Sequence, residues 1–170
     1  LHGPFGEDGS VQGYAEIADI AYVGCGIFAS AAAMDKVMAK TLLRASGLAV
    51  AEARSLRQGE TISFEELRRN LGPVLFVKPA RQGSSVGVSR VGGNGADFAS
   101  ALDAAFTHDD KVLVEAFVDG REIECSVLGG HAPQASVLGE IRYPGEFYDY
   151  EAKYASEATQ LVIPADVTPG

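Results

Sequence analysis

The chain has 170 residues, 46% of them hydrophobic, with 14 basic and 23 acidic side chains for a formal charge of −9. That composition belongs to a globular protein with a buried core and excludes a disordered or fibrous chain. It also excludes a broad nucleic-acid-binding surface, so any anionic partner has to be met by a few local cations.

Helical and extended periods alternate along the chain without internal repeats, which predicts an α/β or α+β fold. Ser10 is placed to cap a helix running to Ile20, with Val11, Tyr14, Ile17 and Ala18 on one face. A brief extension at Tyr22-Val23 precedes a glycine loop. A second helix is predicted from a Ser30 cap, with Met34, Val37, Met38, Leu42 and Ala45 as its buried stripe and Gly47 as its stop. Ser63-Phe64-Glu65-Glu66 fits a capping box, and Gly72-Pro73 ends that helix. Pro73 to Lys78 reads as a buried strand and Val86 to Val91 as its hairpin partner. A helix from Asp97 turns Phe98, Leu102, Ala105 and Phe106 inward, and Val112 to Val118 follows as a strand. Between Arg121 and Gly129, Ile123, Cys125 and Val127 alternate with Glu122, Glu124 and Ser126, predicting a strand with one wet face. Gln134 to Arg142 is a further strand, and the short turns favour antiparallel pairing. Tyr143 to Gln160 has neither period and is expected to be a lid or binding loop.

The longest nearly apolar stretch, Ile27 to Met34, is far short of the roughly 20 residues that cross a bilayer, and no secretory signal precedes it. Neither a membrane partner nor a nucleic-acid partner is expected. Cys25 and Cys125 lie far apart with no Cys-x-x-Cys pair, which points to neither a zinc site nor a disulfide scaffold and leaves a cytoplasmic location as the default. The chain begins at Leu1 and stops at Thr168-Pro169-Gly170, so its completeness is open.

Four segments could carry chemistry. Gly24-Cys25-Gly26-Ile27-Phe28-Ala29 matches the dinucleotide pattern G-x-G-x-x-A, but the strand before it is too short and the helix is expected to start only at Ser30. Phe76 to Val88 delivers Lys78 from a buried strand into the small-residue loop Gly83-Ser84-Ser85-Val86-Gly87, which suits phosphate and is not a Walker A loop; a plain glycine-rich hairpin with a surface lysine stands beside that reading. Val114-Glu115-Ala116-Phe117-Val118 with Glu122 suits an adenine and ribose slot, or a solvated strand end. Phe147-Tyr148-Asp149-Tyr150-Glu151-Ala152-Lys153-Tyr154 holds four of the 14 aromatics, as a lid over a ligand or as an interface patch.

Taken in order, Gly6-Glu7-Asp8-Gly9, Gln12-Gly13, Met34-Asp35-Lys36, Val77-Lys78-Pro79 with the 83–87 loop, Gly120-Arg121-Glu122 and the 147–154 segment closely resemble the D-alanine–D-alanine ligases of the ATP-grasp superfamily. The resemblance covers essentially the whole chain. It implies antiparallel sheets that sandwich ATP, with residues 1–24 ending an N-terminal α/β substrate domain, 25–115 forming the central subdomain and 116–170 starting the C-terminal one, lid 143–160 included. Positions matching Lys36, Lys78 and Lys153 would face the phosphates, which takes three of the five lysines. Ser85 and Val86 would cover the phosphates, Glu115, Phe117 and Val118 would meet the adenine, Glu122 the ribose, and Phe147 would be a lid aromatic. His2 and Glu7 would lie beside the first D-alanine, and Ser84 with Tyr154 would form a relay that holds the lid shut; Ser84, Lys153 and Tyr154 would be the catalytic set.

The reaction so implied is ATP-dependent ligation of two D-alanines through an acyl phosphate, in a homodimer that supplies peptidoglycan precursors. The magnesium ligands and a phosphate-facing arginine are expected downstream of residue 170, no metal ligand is expected within the chain, and these 170 residues alone are expected not to turn over. The lid resembles dipeptide-forming members rather than those that make D-alanyl-D-lactate. Another ATP-grasp carboxylate–amine ligase, a binding-only segment, and the nicotinamide reading of Gly24 to Ala29 remain as alternatives.

Overall fold

The computed structural model describes residue 1, residues 3–143 and residues 158–168. His2, Phe147, Lys153 and Tyr154, and with them most of the expected lid, lie outside the described residues. The chain divides into two units, Leu1–Val118 and Asp119–Gly170.

The first unit is organised by a four-stranded antiparallel sheet in the order β1-β4-β2-β3, built from β1 (Ala53–Arg57), β2 (Leu75–Pro79), β3 (Ser89–Val91) and β4 (Lys111–Ala116). Side chains alternate across a strand and directly paired residues share a face, so the register sorts this sheet into two sides. Leu56, Leu75, Val77, Val91, Val112 and Val114 fall on one side, against Phe64 and Leu67 of α4 (Phe64–Leu71) and Phe98, Ala101 and Ala105 of α5 (Phe98–Phe106). Leu75, Val77, Val112 and Val114 are fully buried there; each such side chain contributes about 1.5–3 kcal/mol relative to exposure. The other side carries Phe76 paired with Glu115, Lys78 paired with Leu113, and Lys111. The capping box holds, because Ser63 Oγ accepts from Glu66 N at 3.1 Å, and Gly72 ends α4 at φ 107°. Ala53–Arg57 is a strand that the sequence does not advertise, since its arginines mask the period of an edge strand whose burial is confined to Leu56.

The N-terminal helices depart from expectation in an informative way. α1 (Ser10–Ile17) is capped by Gly9 in the left-handed region and buries Gln12 and Ala15, while Tyr14 and Ile17 are 67% and 90% exposed. The single helix expected after Ser30 is two, α2 (Ile27–Met34) and α3 (Lys36–Ala45), broken at Asp35. Asp35 is extended, and its carboxylate accepts from Val37 N at 3.0 Å and Met38 N at 3.2 Å. A short acidic side chain satisfies free amides at a helix start better than it serves a helix interior, which is why the break falls there. Ser30 is therefore helical rather than a cap, and its Oγ donates to Cys25 O at 3.3 Å. The expected stripe of α3 is not buried, and Met38, Leu42 and Leu43 are exposed. What fixes α3 is polar: Lys111 pairs with Asp35, and Lys36 N donates to Ala80 O at 2.9 Å.

In the second unit the expected strand over 121–129 is divided. β5 (Glu122–Glu124) pairs with β8 (Gly139–Arg142), which also pairs with β9 (Gln160–Val162), whereas β6 (Val127–Leu128) pairs with β7 (Gln134–Ala135). The pairing is antiparallel as expected, but Ile123 and Val127 are exposed, so the alternation does not mark a dry face. This unit is held by Glu140, buried on β8, which accepts from Arg121 Nε and Nη2 at 2.7 Å each and from Arg142 Nη2 at 2.8 Å. Those hydrogen bonds hold the Glu140 carboxyl down at about 2. Cys25 and Cys125 are free and exposed, and no helix among the described residues is long and apolar enough to cross a membrane.

Candidate functional site

The polar side of the first sheet concentrates charge around one carboxylate. Glu115, on β4, has a side chain 14% exposed, with Oε1 paired to Lys40 Nζ and Oε2 to Lys78 Nζ. Burial alone would raise its carboxyl, but the Lys78 and Lys40 ammoniums outweigh that and keep it below its ordinary value. Lys78 reaches this point because the pleat of β2 turns Phe76 and Lys78 to the same side, and its Nζ lies 5.6 Å from the Phe76 ring centroid. Phe76 in turn packs on Phe117 at 6.0 Å, and the Arg90 guanidinium lies 5.8 Å from the Phe117 ring. Phe117 N donates to Val74 O at 3.1 Å, and Val118 is exposed.

Lys36, the first residue of α3, donates through Nζ to Gln82 O at 2.5 Å and to Ala80 O at 3.4 Å. Burial, aided by the nearby Lys78 charge, pushes its ammonium down to about 8 against the pull of Asp109, Glu115 and Asp35. Lys36, Lys40 and Lys78 outnumber Glu115 by two charges, so this corner is cationic on a chain whose total is −9.

The loop after β2 is fixed at its base and opens at its tip. Arg81 pairs with Asp109 and Asp110, and its backbone N donates to Asp109 Oδ2 at 2.7 Å; Gln82 Nε2 donates to His108 O at 3.2 Å. Against the effect of burial, the Arg81 guanidinium with the Lys111 and Arg81 amides holds the Asp109 carboxyl down at about 2. Ser84 and Ser85 are both left-handed, at φ 51° and 58°. Tight turns of this kind can present backbone amides to a small anion. Val86 N donates to Gly83 O at 3.1 Å, which leaves Val86 within the same tight turn. Gly87 follows at φ 68°, where a β-carbon would sit 2.7 Å from His108 Cδ2 and 2.9 Å from Pro79 Cγ, so a side chain there would be strained and would have to displace its neighbours.

Glu7 also reaches this loop. Its Oε2 accepts from Gly3 N at 2.5 Å and lies 3.9 Å from where a β-carbon on Gly83 would be. The first unit thus brings together Glu7, Lys36, Lys78, Ser84, Ser85, Val86, Glu115 and Phe117 in and around one sheet face. Glu122 belongs to the second unit, exposed on β5 opposite Ile141. Lys40, the Asp35–Lys111 pair and the Arg81 anchor were not foreseen from sequence. The i, i+4 spacing of Lys36 and Lys40 was the available signal, because it puts both on one side of a helix.

The G-x-G-x-x-A segment does not form a dinucleotide turn. Its helix starts at Ile27 rather than Ser30, with Gly26 extended before it, but residues 20–23 form no strand to feed it.

A family model described as D-ala D-ala ligase C-terminus matches residues 42–170. The D-alanine--D-alanine ligase A of Mesorhizobium japonicum is 57% identical over 98% of this chain and 48% of its own length. A D-Ala:D-Ser ligase structure from Enterococcus faecalis is 36% identical, with a TM-score of 0.86 over 99% of this chain and 49% of that one. A Bacillus anthracis D-alanine--D-alanine ligase complexed with ATP is 32% identical, with a TM-score of 0.77 over 96% of this chain and 50% of that one. The chain therefore spans about half the length of the relatives it matches.

Proposed function

Because the chain belongs to the D-alanine–D-alanine ligase family, with the ATP-grasp fold, we propose that the protein containing it joins two D-alanines at the expense of ATP, through an acyl phosphate, for peptidoglycan precursor synthesis. The observation that carries this reading is the lysine-lined face around Glu115 beside the left-handed Ser84-Ser85 loop. In this reading Lys36 and Lys78, with Lys153, neutralise the phosphates, and the amides around Ser85 and Val86 cover them. Glu115 accepts from the adenine amino group beside Phe117 and Val118, Glu122 takes the ribose, and Phe147 closes over the nucleotide. His2 and Glu7 border the first D-alanine, and Ser84 with Tyr154 holds the lid. The domain boundaries at 24/25 and 115/116 belong to the same reading, and the second lies close to the division after Val118. So do a homodimer and a cytoplasmic location.

The chemistry follows from what a carboxylate lacks. A carboxylate is a poor electrophile, so an oxygen of the first D-alanine attacks the γ-phosphorus and ADP departs. The amine of the second D-alanine then attacks the acyl carbon, loses a proton, and phosphate leaves from the tetrahedral intermediate. The lysines offset charge that grows on the transferring phosphoryl group, and their fixed placement avoids reorganisation during the reaction. No step is assigned to magnesium; among the described residues no group of three or more His, Cys, Asp or Glu is placed to hold a metal.

The full-length protein supplied with ATP and D-alanine is expected to release ADP and phosphate and to yield D-alanyl-D-alanine, read by mass spectrometry, with D-serine and D-lactate as competing acceptors. Product formed only with D-lactate overturns the reading of the lid, and absence of any D-alanine-dependent ADP release overturns the ligase reading.

The lowered Lys36 adds a pH dependence. As pH rises through about 8, Lys36 loses its proton and its attraction for phosphate. KM for ATP is therefore expected to rise roughly fivefold between pH 7 and pH 9, and Lys36→Arg, which stays charged, flattens the profile. A wild-type KM that does not change over that range excludes this role.

A further inference from the structure

Lys40 has no part in the reaction as outlined, yet it is nearly as enclosed as Glu115, its side chain 17% exposed. Its Nζ makes two bonds, one to Glu115 Oε1 and one, at 2.8 Å, to the carbonyl of Ala51. Ala51 lies two residues before β1, and Glu52 O accepts from Ala116 N at 2.8 Å, so Lys40 ties α3 to the β1–β4 pair at the position next to Glu115. Lys78 holds the other oxygen, Oε2. Two lysines thus share one carboxylate, and they differ in how they are anchored. Lys40 is anchored by a second, backbone partner, whereas Lys78 is hydrogen-bonded, among the described residues, to Glu115.

Resting on the reading above, in which Lys78 serves the phosphates and Glu115 the base, we infer that Lys40 is a positioning residue for base recognition: it retains Oε1 of Glu115 so that Oε2, released as Lys78 turns to the phosphates, points at the exocyclic amine of adenine. The exchange needs an ammonium that stays behind. Without Lys40, Glu115 would be left enclosed with no cation as Lys78 departs, and the carboxylate would follow Lys78 away from the base. Lys40 therefore fixes the direction of Oε2 without touching the nucleotide.

The test is steady-state kinetics of the full-length enzyme with ATP and with ITP, which carries a 6-oxo group in place of the amine. Lys40→Met is expected to raise KM for ATP about tenfold, the loss of one hydrogen bond to a charged acceptor, with kcat changed less than about twofold and KM for ITP nearly unchanged. Lys40→Gln, which can still donate to the Ala51 carbonyl and lowers the folding risk, is expected to show the same direction. Equal increases in KM for ATP and ITP, or a lowered melting temperature with the ATP-to-ITP preference intact, overturn the inference and leave the ligase reading standing. A wild-type enzyme that saturates with neither nucleotide overturns that reading instead.

Discussion

Lys78→Ala in the full-length protein is expected to lower kcat/KM for ATP by about 10³-fold, the scale on which removal of one preorganised charge from a transferring group is felt. Two features of the site make so large a loss compatible with a folded protein. The Lys78 side chain lies on the polar side, 20% exposed, and its removal takes nothing from the apolar layer formed by Leu75 and Val77 on the same strand. Glu115 also keeps Lys40, so its carboxylate is not left as an isolated buried charge. The loss should therefore appear in turnover and in nucleotide binding by calorimetry, with the circular dichroism spectrum and melting temperature close to wild type. A variant within threefold of wild type would remove Lys78 from the phosphate site.

The largest effect on stability is expected on the opposite side of the sheet. Gly95 is at φ 71°, and a β-carbon there would lie 2.2 Å from Phe64 Cδ1, 2.4 Å from Cγ and 2.7 Å from Cε1. Phe64 cannot yield easily, because it is buried in the core cluster and its ring packs on Phe98 with centroids 5.7 Å apart. Gly95 also helps to start α5, where Phe98 N donates to Gly95 O at 3.0 Å. Gly95→Ala thus combines a left-handed backbone with overpacking and is expected to cost about 3 kcal/mol or more. Gly93 separates the two effects, for it is at φ 63° with nothing within 4 Å of its virtual β-carbon. Gly93→Ala should cost about 1 kcal/mol, the backbone part alone. Chemical denaturation of the two variants beside wild type measures the difference, and equal midpoints would refute the clash.

The sequence made the sheet's core side and its antiparallel second half legible, because Leu75, Val77, Val112 and Val114 announce themselves by composition and the Ser63 box by spacing. The elements that escaped are those whose placement depends on partners distant in the chain. Asp35 reads as one residue of a long helical run until Lys111, on β4, is seen paired with it. Ala53–Arg57 looks unlike a strand until β4 supplies the ladder. The same division holds at the site. Lys78, the 83–87 loop and the strand end at Glu115 stand out as local motifs, and Lys36 follows from the family resemblance. Lys40 gains meaning only when Glu115, from a strand far along the sequence, arrives beside it.

The two-sided register of β2 and β4 limits how this lineage can change. One residue gained or lost within Leu75–Pro79 or Lys111–Ala116 would rotate every later side chain on that strand to the opposite side, driving Lys78 or Glu115 into the apolar layer and a valine into the charged one. Length variation among descendants is therefore expected to collect in the connections, while these two strands pass from ancestor to descendant with their residue count unchanged.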